Sequence, residues 1–415
     1  MNPLDIGIVG GSIAGCSAAI HLSRAGHRVR VYERSTGGLV GRGGGIGTPV
    51  PVLESLVEEG ILGRDFPHFV LSAMPFVVRT DSEPRFGHSA WEMPANLAAF
   101  HWSALWNALR AGVPDGAYRS GVQVTGVAES RSGRVTLEMD GDESAEADLA
   151  IFADGYRSLG RGIVCPDAEL RYRGYMLWRG LLPESELGDG AGLGTKVPRL
   201  SYVGAPGHLV AYLVPGRDGS TRPGERLVNW AAYVALPEAE LDEFMVDRWG
   251  TPRTGTVPPG EMRPEQETAL KALLVPGLPD YYGEIVDRTE RTYVQLIYTV
   301  RVPSYHRGRI CLVGDAGGVA QPFRGSGVFK GHGNVTGLLA ALERRGSIDD
   351  ALADWSAAQV ATSDRLLALG EQMEQAFVWS PLDLTDADEA TTEAWWKSAV
   401  TFPEEFTYAA DSSSD

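Results

Sequence analysis

The segment Asp5-Ile6-Gly7-Ile8-Val9 runs directly into Gly10-Gly11-Ser12-Ile13-Ala14-Gly15, and an amphipathic stretch over residues 16–25 follows. An apolar strand, a glycine turn and a helix, in this order, leave few folds open. Gly10 permits a tight turn, and Gly15 permits close helix–strand packing. The helix start gathers unpaired N–H groups and positive dipole, which suits a pyrophosphate if the backbone can approach it. Ser12 stands at the middle glycine of the G-x-G-x-x-G pattern; it is small and can itself donate to phosphate. Ile13 and Ala14 would offer first-turn N–H groups. Val29-Arg30-Val31-Tyr32-Glu33 completes a βαβ unit, with Arg34 just beyond. Glu33, at the end of the second strand, can take both ribose hydroxyls of an adenosine and would repel a 2′-phosphate.

With 415 residues, 43% of them apolar, the chain can bury one large core or two medium ones. A net charge of −17 argues against the clustered basic surface that a nucleic acid needs. Cys16, Cys165 and Cys311 form no C-x-x-C pair and read as buried free thiols in a reducing cytoplasm. The histidines show no H-E-x-x-H or comparable spacing, so no metal is expected. The first strand begins too early to leave room for a signal peptide, and no apolar run reaches the roughly 18 residues of a membrane span. The expectation is a soluble cytoplasmic protein without nucleic-acid or membrane partners, with a homo-oligomer left open.

Further along, a Gly-rich loop over residues 37–47 contains Arg42 and Gly43, and residues 49–60 read as a helix. Residues 69–85 are rich in β-formers, 101–110 read as a helix, and 122–127 with 135–139 read as a small meander. Residues 147–152 form a buried strand ending in Asp154-Gly155, with Ser158 and Arg161 behind. Between 170 and 300 the pattern alternates with period two, punctuated by Pro215-Gly216 and Pro223-Gly224. Residues 309–313 return to a buried strand before Gly314-Asp315-Ala316, and then Pro322, Gly325, Gly327 and Val328 lead into a helix. A second glycine-rich turn opening a helix suits the far end of a long dinucleotide. No second G-x-G-x-x-G with its own acidic partner is present, so a reductant would have to visit the same site. The acidic, Ser-rich end, residues 383–415, is expected to be partly disordered.

Gly10 to Gly15, the complete Asp154-Gly155-x-x-Ser158-x-x-Arg161 and the Gly314-Asp315-Ala316 segment with Pro322, Gly325 and Gly327 together resemble class A, single-component FAD-dependent aromatic hydroxylases of the p-hydroxybenzoate hydroxylase type. The resemblance extends to about residue 380. It implies an α/β fold with a Rossmann-like FAD-binding domain (1–68, 95–168 and 301–345) interleaved with a β-sheet substrate domain (69–94 and 169–300), then C-terminal helices and an acidic tail (346–415). It implies non-covalent FAD held by Gly10, Ser12, Ile13, Ala14, Glu33, Arg34, Arg42, Gly43 and Gly314. Asp315 would meet the ribityl or pyrophosphate, and Pro322, Gly325, Gly327 and Val328 would lie along the flavin ring. Asp154, Gly155 and Arg161 would support both FAD and passing NAD(P)H.

Several positions depart from that family pattern. Gly317-Gly318 replaces Ala-His, Ser326 and Phe329 alter Gly-Gln-Gly-x-Asn, Asn334 replaces Asp, and His101-Trp102 stand where an arginine is common. The Gly-Gly-Ser start and Trp178-Arg179-Gly180 look like the 2,6-dihydroxypyridine 3-hydroxylase group. This points to an electron-rich hydroxypyridine or phenol as substrate, for example a piericidin-like hydroxypyridine in antibiotic biosynthesis.

By the same resemblance, NAD(P)H reduces FAD, O2 adds to give a flavin hydroperoxide, and its distal oxygen attacks an electron-rich ring carbon. The protein must hold the ring, exclude water and help a substrate hydroxyl lose its proton. Tyr175, Trp178, Tyr202 and Trp230, with Tyr212 and Tyr233 nearby, are candidate pocket walls. His332, His208 and Tyr212 are candidates for proton transfer, with His101 beside them. The alternatives are an epoxidase or Baeyer–Villiger-type enzyme, a halogenase (whose W-x-W-x-I-P segment is missing), and a non-catalytic flavin-binding regulator.

Overall fold

The computed structural model describes residues 2–39, 43–130, 133–188, 192–325, 327–344 and 346–400; Arg42 and Ser326 lie outside these residues. Within them the chain builds three sheets. The first runs in the order β17 (His306–Arg307), β18 (Ile310–Leu312), β10 (Leu149–Phe152), β1 (Asp5–Val9), β2 (Arg28–Glu33) and β6 (Tyr118–Ser120). Its neighbours are parallel except for the β17–β18 hairpin. Leu149, Ala150, Ile151 and Phe152 are all fully buried, as expected of a strand covered on both faces.

The helices are α1 (Ile13–Arg24), α2 (Val50–Glu58), α3 (Trp102–Gly112), α4 (Leu159–Val164), α5 (Leu241–Phe244), α6 (Pro264–Leu274), α7 (Asp280–Arg288), α8 (Gly327–Arg344), α9 (Ile348–Glu374) and α10 (Glu389–Ala399). Helix α1 packs on β2, α3 and α8 pack on α1, and α9 packs on α8. The three glycine-containing signatures leave the C-terminal ends of β1, β10 and β18, which are adjacent parallel strands. This is the edge where open α/β sheets place their ligands.

The second sheet runs β15 (Thr256–Val257), β16 (Tyr293–Thr299), β11 (Arg171–Pro183), β14 (Leu227–Ala235), β13 (His208–Val214), β12 (Arg199–Ser201), β4 (Phe69–Val78), β5 (His88–His101) and β3 (Gly45–Pro49). Residues 45–49 and 97–101 therefore pair in this sheet, with Gly45 opposite His101, rather than in the first. Alternation gives this sheet two unlike faces. Tyr175, Leu177, Tyr212 and Tyr233 point into one apolar cluster, shared with Phe323 and Phe377. Met176, Trp178, Leu213 and Trp230 point into another, covered by residues of α6 and α7. The third sheet is the expected meander: β7 (Val124–Glu129), β8 (Val135–Met139) and β9 (Ser144–Ala147).

Of the end expected to be partly disordered, residues 389–399 form α10, and residues 401–415 lie outside the described residues. Asp388 caps it by accepting from Thr391 N–H at 2.8 Å. The Trp396 ring then packs 5.2 Å from Phe76 and 5.5 Å from Phe377. Burying large aromatic rings outweighs the acidic composition of the flanking residues. Among the described residues, no helix is long and apolar enough to cross a membrane.

Candidate active site

The first turn after β1 is held from several sides. Gly10 sits at φ +98°, where a Cβ would meet the Ala153 carbonyl oxygen at 2.5 Å. Gly11 N–H donates to Glu33 Oε2 and Ser35 N–H donates to Glu33 Oε1, both at 2.8 Å. The Gly11 carbonyl accepts from Trp106 Nε1 at 2.9 Å and from the Tyr118 hydroxyl at 3.1 Å. Glu33 thus shapes the turn and still has lone pairs for ribose hydroxyls. Ser12 makes no side-chain cap to α1, and Arg34 is exposed. Trp106 and Tyr118 carry no local motif, so sequence reading missed them.

The second signature is a brace. Asp154 Oδ2 accepts from Leu159 N–H at 2.7 Å, and Ser158 Oγ accepts from Arg161 N–H at 2.9 Å, so both side chains cap α4. This aims the buried Arg161 guanidinium at the third signature. Its Nη1 donates to the carbonyls of Asp315 and Ala316, both at 3.2 Å, and its Nη2 donates to the Tyr156 carbonyl. Asp154 Oδ1 is buried with no partner among the described residues, and burial raises its carboxyl above the ordinary range.

The family departures have local causes. A Cβ on Gly317 would lie 2.2 Å from Tyr305 Cε1, and one on Gly318 would lie 2.6 Å from Ser363 Oγ. Asn334 Oδ1 accepts from Gly314 N–H at 2.8 Å while its Nδ2 donates to Gln359 at 2.6 Å, a pairing that an ionised carboxylate could not make. Phe329 packs edge-on to Phe100 at 6.5 Å. Lys330, nearly buried, lies 3.2 Å from Asp315 Oδ1 and also donates to the Gly318 carbonyl. It places a cation beside the half-exposed Asp315 carboxylate. A lysine in a glycine-rich stretch, in a chain with only four lysines, was the available signal.

Opposite the first sheet's edge, the face of the second sheet that carries Tyr212 is polar near the loop before β3. Arg179 Nη2 donates to the Gly45 carbonyl at 2.9 Å, and Gly45 N–H donates to Asn229 Oδ1 at 2.7 Å. A Cβ on Gly44 would lie 2.4 Å from Tyr293 Oη. Arg179 Nε, Asn229 Nδ2 and Tyr293 Oη are buried and have no partner among the described residues. Unmet buried polar groups call for an explanation, and a bound ligand is one.

Trp178, Tyr202 and Trp230 do not share this face; they lie in the back cluster, which corrects the expectation that they line the pocket. Trp178 and Trp230 meet edge-to-face at 4.9 Å, and Gly180 is required because a Cβ there would lie 2.7 Å from the Trp230 ring. In Trp178-Arg179-Gly180, the middle residue is therefore the one facing the site. Tyr175 is on the site's side of the sheet but is sealed against Phe323 and Trp379.

The candidates for proton transfer separate. His332 Nδ1 lies 3.1 Å from His21 Nε2 and 3.4 Å from Ser17 Oγ, so α8 turns it toward α1. His208 is buried, stacked 4.2 Å from Tyr233 and bonded to Arg199 and the Phe377 carbonyl. Burial, then Arg199, holds it neutral. These placements correct the expectation for both histidines. Tyr212 keeps its phenol protonated through burial and lies in the electrostatic neighbourhood of Arg179 and Tyr293. His101, opposite Gly45, is pushed down to about 4 by burial and by Arg217 and Arg179. Its Nδ1 accepts from Ser103 N–H at 3.2 Å, so its proton is on Nε2.

These residues fit a long dinucleotide. The first turn of α1 is uncapped by Ser12, Asp154 leaves a buried oxygen unmet, and Gly325, at φ +64°, approaches the Gly47 carbonyl too closely for any side chain.

A family model for an FAD binding domain-like domain matches residues 172–299, and one for an NAD(P)-binding Rossmann-like domain matches residues 8–42. The chain is 26% identical over 360 residues to the 2,6-dihydroxypyridine 3-monooxygenase of Paenarthrobacter nicotinovorans, covering 86% of this chain and 87% of that one. It is 28% identical over 354 residues to the 3-amino-4-hydroxybenzoate 2-monooxygenase of Streptomyces cremeus, covering 82% and 79%. The solved structure of 2,6-dihydroxypyridine-3-hydroxylase from Arthrobacter nicotinovorans shares the fold at a TM-score of 0.82, with 24% identity over 94% of this chain and 97% of that one.

Proposed function

We propose that this class A flavoprotein monooxygenase uses NAD(P)H and O2 to hydroxylate a hydroxypyridine or phenol bound against Arg179. The observation that carries this reading is the buried set Arg179 Nε, Asn229 Nδ2 and Tyr293 Oη facing the Gly44–Gly45 loop. A planar ring bearing a hydroxyl or oxo group supplies the acceptors these groups lack.

Bound FAD supplies the reductive activation of dioxygen. The residues from Gly10 to Ala14, with Glu33, would hold its adenosine and pyrophosphate. Asp315, with Lys330 beside it, would hold the ribityl region, and the turn from Pro322 through Gly327 and Val328 would flank the ring. The Arg179 cation favours the ionised form of a substrate hydroxyl, and ionisation makes the neighbouring ring carbons nucleophilic. Tyr212 stays neutral and can donate to the same oxygen. His101, kept neutral by burial, would be the group that passes the proton on. The loop around Gly45, docked on Arg179 and Asn229, keeps water from the reacting atoms. Ring hydroxylation is favoured over the epoxidase, halogenase and regulator readings. A cytoplasmic setting is supported by the three free, buried thiols.

The test is NAD(P)H oxidation by the FAD-loaded protein with a panel of hydroxypyridines and phenols, following peroxide in parallel. Stimulation by one compound with little peroxide supports the reading. FAD-loaded protein that responds to none of them overturns the substrate class.

A further inference from the structure

We propose that His21, Glu59 and His332 form a binding site for a divalent transition metal of the Zn2+ kind, where α1, the end of α2 and α8 meet. His21 lies on α1, Glu59 ends α2 and His332 lies on α8. Each offers one ligand atom, and the three atoms lie within 4.8 Å of one another. His21 Nε2 is 3.1 Å from His332 Nδ1, and His332 Nε2 is 3.6 Å from Glu59 Oε2. Tetrahedral Zn2+ with bonds of about 2.0–2.1 Å sets its ligand atoms about 3.3 Å apart. His332 turns a different ring nitrogen to each neighbour, so it would bind through one of them, and small side-chain rotations close the one-atom-per-residue set, now within 4.8 Å, to that spacing.

The chemistry of the set selects the metal. Two imidazoles and one carboxylate are a known Zn2+ combination that leaves a fourth position to water. Ca2+ and Mg2+ call for oxygen-rich shells, and Cu(I) calls for thiolate or thioether, neither of which is present here.

The surroundings hold the ligands in place. Arg24 Nη1 and Nη2 donate to the carbonyls of Glu59 and Gly60, each at 2.8 Å, tying the end of α2 to α1. Ser55 Oγ donates to Glu59 Oε1 at 3.0 Å. Ser17 Oγ, 3.4 Å from His332 Nδ1, is an outer partner that can orient the ring. The Glu59 side chain is 38% exposed and that of His332 is 18% exposed, so an ion can enter from solvent. A bound ion would pin α2 to α1 and α8. Because α2 follows β3 directly, it would also steady the strand that begins at Gly45.

The experiment uses full-length, tag-free, FAD-loaded protein stripped with a chelator. Zn2+ is titrated by calorimetry, and Co2+ is titrated by absorbance. The expected result is one Zn2+ per chain, a Tm rise that chelator reverses, and a tetrahedral Co2+ spectrum. Glu59→Gln, a partly exposed change that should preserve the fold, weakens Zn2+ binding by more than about tenfold. His21→Ala abolishes both binding and the Co2+ spectrum. If the stripped protein takes up no Zn2+, or if Glu59→Gln binds it as tightly as the parent, the three side chains form only a hydrogen-bonded cluster and the proposal is overturned.

Discussion

Arg161 donates through Nη1 to the carbonyl oxygen of Ala316 at 3.2 Å, bridging 155 residues of sequence. The same nitrogen reaches the Asp315 carbonyl, and Asp154 and Ser158 cap the helix that aims it. The second signature therefore acts by holding the third in shape.

Arg161→Ala should strand these carbonyls, at a cost of about 1–3 kcal/mol for each that stays buried. The expected outcome is a lower Tm and FAD affinity weakened about tenfold or more, read by flavin fluorescence titration. Arg161→Lys, with one point charge in place of a fork, should recover only part of the loss. Unchanged FAD affinity in Arg161→Ala would mean that the Asp315 segment holds its shape unaided.

Arg179→Met keeps the packed stem and removes the charge. KM for a phenolic or pyridinol substrate should rise about tenfold or more, because truncating one partner of a buried charged hydrogen bond costs about 2–5 kcal/mol. The pH profile of kcat/KM should move upward, since the substrate hydroxyl would then ionise without a cation beside it. An unaltered KM and pH profile would move the substrate site elsewhere.

Trp230→Phe tests the back face. Trp230 Nε1 donates to Thr289 Oγ1 at 2.9 Å, and Thr289 also donates to the Ile285 carbonyl at 2.7 Å. The change should destabilise the protein by about 1–3 kcal/mol through the lost bond and smaller ring, with KM unaffected. Denaturant melts and steady-state kinetics on one preparation separate the two effects; a several-fold rise in KM at unchanged stability would return Trp230 to the substrate path.

His208 links stability to pH. Its pKa lies well below the ordinary histidine value of 6.5 because burial, then Arg199, disfavours the charged ring. The unfolded chain takes up a proton that the folded chain refuses. Stability is therefore full above about pH 6.5 and falls below it, by up to about 1.4 kcal/mol per pH unit for this one group. His21 and His101, both pushed down to about 4, act in the same direction. His208→Gln should flatten the decline of Tm with falling pH below about 6.5. A slope identical to that of the parent would assign the acid sensitivity to other groups.

Much of the dinucleotide half was legible because its determinants are local. A strand, a turn needing positive φ at Gly10, and a helix start are properties of a few neighbouring residues. The period-two runs from 170 to 300 likewise announced a sheet. Helix α10 was not legible, because composition does not reveal that Trp396 meets Phe76 and Phe377. Gly317 and Gly318 looked like losses from a family pattern, and Tyr305 and Ser363 supply the steric reason for them.

By itself, the sequence determined the class of fold, the glycine framework at the strand ends and the alternation of the second sheet, because backbone geometry and side-chain period are written in short windows. Only the tertiary structure decided which face of that sheet meets the site. Alternation says that Trp178 and Arg179 point opposite ways, but the back cluster with α6 and α7 on one side and the Gly45 loop on the other assign the faces. The same holds for His332. Its neighbours in sequence suggest the cofactor turn, whereas the rotation of α8 delivers it to His21 and Glu59. Contacts between residues far apart in the chain depend on how whole elements pack, and no local spacing encodes that.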